Sequence, residues 1–259
     1  MTKKIILTAV AIVLFLVACF SGYKVISTLL TRSREQSAFD KLSEIAESAT
    51  QAQPDHDKTD TETEPETDAV PEYSELYALN NDFFGWLCID GTKINYPVMH
   101  TPADPEYYIH RAFDRSSSEN GCLFMDGACR TGCGNYLIYG HHMKTGTMFG
   151  TLDKFSKKEY WQEHKSLHLN TLEEFGEYEI LGAFYSRLYY EGEEGFRYYS
   201  YTDLTDRSVF DEYVKLVKRS SLYDTGITAE YGDTLVTLST CSYHVDDGRF
   251  VVVARKKAA

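Results

Sequence analysis

The chain is short of positive charge: 26 lysines and arginines face 39 aspartates and glutamates in 259 residues, a formal net charge of −13. Nucleic-acid binding needs a basic face that displaces counterions from phosphate, so this balance argues against it. Cysteine is sparse too, at six, which is too thin for a disulfide-dense scaffold in a chain this long. The paired Cys-x-x-Cys spacing of a structural zinc site is missing. No metal motif and no internal repeat is evident, and no cofactor is expected. Three readings stay open for Cys129 and Cys133, which lie in the turn-rich stretch 127–134. They form a disulfide, they join Cys122 and a histidine on zinc, or they are free thiols.

What is present begins with an apolar run over residues 5–20 that Ser21-Gly22-Tyr23 prolong to Lys24. That is near the length that crosses a bilayer once. Lys3 and Lys4 precede it and the bulk of the chain follows, so an N-in, C-out signal anchor over residues 1–23 is preferred, although Lys24, Arg32 and Arg34 weaken the charge asymmetry. Two rivals are kept. Leu16-Val17-Ala18-Cys19 resembles a lipobox with Cys19 as the lipidated residue, and Val17-Ala18-Cys19-Phe20 is a poor but conceivable cleavage site. All three put the remainder outside the cytoplasm. Residues 24–50 read as a helical stalk, amphipathic in its second half through Phe39, Leu42 and Ile45. Residues 51–72 carry eight acidic residues relieved only by Lys58, with prolines and no aromatic. Such a segment cannot bury a core and reads as an extended tether.

From residue 73 to 259 the pattern is one domain, opened by a short helix over 74–80. Alternating apolar runs predict strands at 85–89, 96–99, 122–125, 136–139, 166–170, 177–185, 234–240 and 250–254. One amphipathic helix interrupts them at 206–220, with Val209, Phe210, Tyr213, Val214 and Val217 on one face. Many short strands with turn residues between them predict a mostly β protein with peripheral helices, closed as a barrel rather than open and parallel.

The chemistry gathers at strand ends. Thr237-Leu238-Ser239-Thr240-Cys241 brings a thiol to the tip of one strand, and Arg249 opens the next. Tyr139-Gly140-His141-His142 leaves another strand with two imidazoles. Cysteine, histidine and arginine so arranged are the parts of a thiol acyl-transfer site. Successive strand residues point to opposite faces, so at most one of the two histidines faces the thiol. Arg249 stays protonated and cannot be a base; its task is a substrate carbonyl or an oxyanion, unless it is simply a surface charge.

These residues resemble a sortase, the Gram-positive cysteine transpeptidase, and within that family class B. Gly85-Trp86-Leu87, the run 91–98, Tyr107-Tyr108, Tyr139-Gly140-His141-His142-Met143 and Thr147-Met148-Phe149-Gly150 add to the likeness, which extends over about residues 73–257. The resemblance implies an eight-stranded barrel and a catalytic set of Cys241, His141 and Arg249, with His141 preferred because it directly follows the glycine. It also implies substrate contacts from Ser239, Thr240 and Tyr199. Its substrates would be secreted proteins with a C-terminal sorting motif, joined to an amine of a peptidoglycan precursor or, in a pilin-polymerising relative, of a pilin. The short connection from Cys241 to Arg249 departs from some class B relatives. Rival functions are a cysteine peptidase with water as acceptor, an L,D-transpeptidase, whose histidine and cysteine lie closer together, and a non-enzymatic membrane-anchored binding domain of similar fold.

Overall fold

The structure, a computed structural model, describes residues 2–51 and 73–257. The expected acidic tether lies almost wholly outside the described residues. The chain divides into two compact units, Met1–Leu42 and Ser43–Ala259.

The first unit is helical and belongs to α1 (Thr2–Gln51), which runs unbroken across the expected boundary between anchor and stalk. Leu14, Phe15, Leu16, Val17 and Phe20 leave their side chains exposed along it. By length and composition it is the one helix among the described residues that is apolar enough to cross a membrane.

The second unit is a closed barrel with helices around it. After α2 (Ser74–Leu79) come β1 (Phe83–Cys88), β2 (Asn95–Met99), β3 (Leu123–Met125) and β4 (Asn135–Tyr139). A short helix α3 (Lys158–Glu163), absent from the sequence expectations, precedes β5 (Ser166–Thr171) and β6 (Glu177–Arg187). The chain ends with α4 (Arg207–Ser220), β7 (Leu235–Cys241) and β8 (Gly248–Lys256). All eight expected strands are present, and they close in the order β1-β2-β3-β4-β7-β8-β6-β5. Closure pairs every strand on both sides and so removes the exposed edges on which open sheets aggregate. Leu123, Leu137, Ile138, Val236, Leu238 and Val252 are among its fully buried side chains.

α4 forms where its apolar spacing predicts. Asp206 caps it, accepting from the backbone N–H groups of Ser208 at 2.8 Å and Val209 at 3.2 Å, while Lys218 and Arg219 sit in the last turn. Phe210, Tyr213, Val214 and Val217 are buried beneath it.

Two features of the topology position the site. β4 and β7 pair in parallel with Tyr139 opposite Ser239. β7 and β8 pair antiparallel with Cys241 opposite Arg249. The exit of β4, the exit of β7 and the start of β8 therefore share one rim of the barrel.

Candidate active site

Cys241 is the last residue of β7 and is exposed at that rim. Arg249 is the second residue of β8 and its register partner. His141 leaves β4 just past Gly140, where the chain runs so close to its neighbours that a Cβ would lie 2.5 Å from Leu123 and 2.7 Å from the Phe149 ring. A side chain at 140 would have to force Leu123 and the Phe149 ring aside. The glycine before the histidine is thus a packing requirement.

His141, Cys241 and Arg249 line one cavity of about 340 Å³, together with Ser239, Thr240, Tyr198 and Tyr199. All six residues proposed from the sequence fall on it. Its wall also carries the carboxylates of Glu106 and Asp126 and the apolar side chains of Ile109 and Leu188.

The imidazole of His141 is held from outside the barrel. Its Nε2 lies 2.7 Å from the carbonyl of Ile109. A carbonyl only accepts, so Nε2 bears the hydrogen and Nδ1 is the nitrogen left to exchange a proton. The ring stacks on His110 with centroids 5.4 Å apart. Both supports come from the single 3₁₀ turn Tyr107–His110. That turn is pinned by Tyr108, fully buried, whose hydroxyl donates to Asp82 at 2.7 Å and accepts from Asn80 at 2.7 Å. Burial holds the Tyr108 hydroxyl well above its ordinary pKa, so it stays a donor.

Arg249 spends only Nη1 on its own turn, donating to the carbonyls of Asp247 at 3.2 Å and Gly248 at 3.0 Å. The rest of its planar fork has no partner among the described residues.

The substrate candidates fare differently from one another. Ser239 lies two residues before Cys241 on the same strand face, but it is buried, with its Oγ 2.7 Å from the hydroxyl of Tyr198. Thr240 donates its hydroxyl hydrogen to the carbonyl of Gly140 at 2.7 Å and so ties β7 to the exit of β4. Tyr199 accepts from the backbone N–H of Tyr189 at 2.9 Å and shapes the groove wall. Tyr198, which sequence reasoning passed over in favour of its neighbour, is the tyrosine that reaches β7. Burial pushes its hydroxyl up to about 12. Two adjacent tyrosines in a loop give no periodicity from which to choose between them.

Below the rim the same strand face continues as a buried polar chain. Thr237 donates to Asn135 Oδ1 at 2.9 Å, which obliges Tyr213 to donate to Thr237 at 2.6 Å. The Asn135 carbonyl accepts from the thiols of Cys133 at 3.0 Å and Cys129 at 3.3 Å. The cysteines named among the described residues are free thiols, including these two. Contact between the pair raises the Cys129 pKa and lowers that of Cys133. Neither thiol lines the cavity, and a serine hydroxyl can also donate to the Asn135 carbonyl. Replacing both with serine is therefore expected to leave transpeptidation close to that of the parent. Loss of turnover in a variant with unchanged circular dichroism would make this loop part of the site.

With this geometry in place, the comparisons with known proteins agree. A family model for the sortase domain matches residues 87–257. The chain belongs to the sortase family. It is 30% identical over 250 residues to a sortase B of Listeria monocytogenes, covering 95% of this chain and 93% of the relative. To a sortase B of Staphylococcus aureus it is 26% identical over 259 residues, with 98% of each chain covered. Among solved structures, the sortase B of B. anthracis in complex with AAEK1 superposes with a TM-score of 0.69 at 26% identity, over 89% of this chain and 100% of that one. The S. aureus sortase B–substrate complex has a TM-score of 0.73 at 23% identity, covers 89% of this chain and 99% of that one, and shares the fold. This sortase is thus of the class B type expected from its motifs, and it is a sortase-type transpeptidase.

Proposed function

We propose that this sortase cleaves a C-terminal sorting motif of secreted proteins and transfers the acyl group to an amine of a cell-wall precursor, with Cys241 as nucleophile, His141 as acid and base, and Arg249 as oxyanion donor. The observation that carries the reading is the strand register at the barrel rim, which supports a thiol, an imidazole and a guanidinium acting on one bound peptide.

The thiolate of Cys241 attacks the scissile carbonyl, forming a C–S bond, and the resulting oxyanion is met by the unengaged N–H groups of Arg249. The C–N bond then breaks, and the leaving amine takes a proton from the His141 imidazolium. In the second half the acceptor amine loses a proton to the imidazole and attacks the thioester, and the thiolate of Cys241 departs. A thiol suits both halves because it is an effective nucleophile at modest pKa and also a competent leaving group. Ser239, Thr240, Tyr198 and Tyr199 form the wall against which the peptide is held.

The apolar run of α1, with Lys3 and Lys4 before it, supports a single-pass membrane anchor, with the catalytic domain, residues 73–259, on the extracellular face and the acidic segment as spacer. The sortase B relatives from S. aureus and L. monocytogenes, both Gram-positive, support the same placement.

The test uses quenched sorting-motif peptides incubated with and without an amine acceptor and read by mass spectrometry. Acceptor-dependent product and a trapped acyl-enzyme are expected, both lost in Cys241→Ala. Cleavage that releases only the free acid at every acceptor concentration would make the chain a hydrolase. Acylation that persists in Cys241→Ala would remove the nucleophile from this reading.

A further inference from the structure

We propose that His142, backed by Asp153, is a positioning residue that completes the last rung of the sheet beneath the nucleophile and thereby fixes the main chain from which the Cys241 thiol projects. The inference rests on the reading of Cys241 as nucleophile.

The parallel ladder between β4 and β7 ends at the bond from the Gly140 N–H to the Ser239 carbonyl, at 3.2 Å. Alternate carbonyls on a strand point the same way, so the next carbonyl of β7 on that side belongs to Cys241. In a continued ladder its donor would be the backbone N–H of residue 142. The chain has already left the sheet there: His142 bridges back to Met148, and Phe149 donates to the His141 carbonyl at 3.0 Å. The imidazole of His142 takes the place of the missing rung, with Nδ1 2.9 Å from the Cys241 carbonyl. The carbonyl can only accept, so Nδ1 carries the hydrogen.

The other ring nitrogen, Nε2, lies 3.8 Å from Asp153 Oδ2. Asp153 sits in the turn Leu152–Ser156, which the fully buried Leu152 and Phe155 root in the core. Tyr243, two residues past the nucleophile, covers the ring with centroids 5.6 Å apart. The imidazole is therefore held by Tyr243 over its face and by its bond to the strand, with the Asp153 carboxylate beside its far nitrogen.

This arrangement gives adjacent histidines separate tasks. His141 faces the cavity, whereas His142 is absent from its lining and grips the strand from behind. Without the grip, Cys241 would be the last residue of a strand with no partner on its β4 side. A thiol that wanders by a fraction of an ångström loses attack geometry on the carbonyl while still binding peptide normally.

The experiment compares parent, Cys241→Ala, His142→Ala, His142→Asn, His142→Gln and Asp153→Asn in single-turnover and steady-state acylation of one sorting peptide. Loss of one hydrogen bond predicts a drop of about tenfold in the acylation rate of His142→Ala, with KM within about twofold of the parent. The asparagine amide places its N–H near the position of Nδ1, so His142→Asn is expected to keep most of the rate. The glutamine amide extends to the position of Nε2 and misses the carbonyl, so His142→Gln is expected to be slow like alanine. Asp153→Asn is expected to lose less than His142→Ala. The Asn–Gln comparison holds even if the alanine variant fails to fold, because both variants keep a polar side chain of similar bulk. Equal rates for Asn and Gln, or parent-like acylation by His142→Ala, would overturn the positioning role, as would a loss confined to KM. A parent that never acylates, or an active Cys241→Ala, would instead overturn the nucleophile reading itself.

Discussion

Replacing His141 with alanine is expected to slow single-turnover acylation of a sorting peptide by a factor of about 10² to 10⁴, the usual cost of losing a positioned acid and base. The local geometry argues that the fold survives the change. The ring donates to a carbonyl at the end of the Tyr107–His110 turn and stacks on His110, while the turn itself is held by Tyr108, Asp82 and Asn80. Alanine removes the proton carrier and leaves those supports in place. Circular dichroism should be unchanged, and Cys241 should still react with a small neutral alkylating reagent. An alanine variant that acylates as fast as the parent would mean that the imidazole in the cavity is not the catalytic one. If His142→Ala were the inactive variant and His141→Ala the active one, the assignment would be reversed.

Arg249→Lys is the second large effect, with an expected loss of about 10²- to 10³-fold in acylation, the range seen when one oxyanion donor is removed. Arginine here does two things at once. Nη1 satisfies the carbonyls of Asp247 and Gly248 in the tight turn before β8, and the remainder of the rigid fork is available to the cavity. A lysine ammonium is a single point of charge without that fork, so it can serve the turn or the oxyanion but not both. The turn has little freedom to compensate: Asp247 is held at φ 52°, and a Cβ at Gly248 would run into the Ser242 carbonyl. Arg249→Ala is expected to be slow as well, with Cys241 still open to alkylation. Parent-like rates in Arg249→Lys would show that positive charge alone suffices.

Much of the barrel was legible because its strands carry their burial pattern in the sequence. Leu235, Val236, Leu238, Val251, Val252 and Val253 could hardly be anything but buried strand, and both β7 and β8 were found within two residues of their ends. α4 was legible from its apolar face and from Asp206 before it. α3 was not, since Lys158–Glu163 spans too few turns to show a period. Nor was the support of His141, because the group that holds its ring is the carbonyl of Ile109, and a backbone atom leaves no mark on residue type. Tyr198 was missed for a related reason: its hydroxyl is defined by the strand it reaches, not by its neighbours in the chain.

By itself the sequence determined the chemistry available and the local elements that carry it: a thiol ending one strand, an arginine beginning the next, an imidazole after a glycine, and an apolar helix far from all three. Each of these depends on side-chain identity and short-range periodicity, which are written along the chain. Only the tertiary structure decided that the exit of β4 lies beside the exit of β7, because parallel pairing joins segments separated by β5, β6 and α4 and no local rule specifies that partner. The same pairing decided that His141 lines the cavity while the His142 ring meets the Cys241 carbonyl. The two residues are chemically identical, and their surroundings differ because β4 ends at Tyr139, two residues before the first of them, while β7 runs on to Cys241.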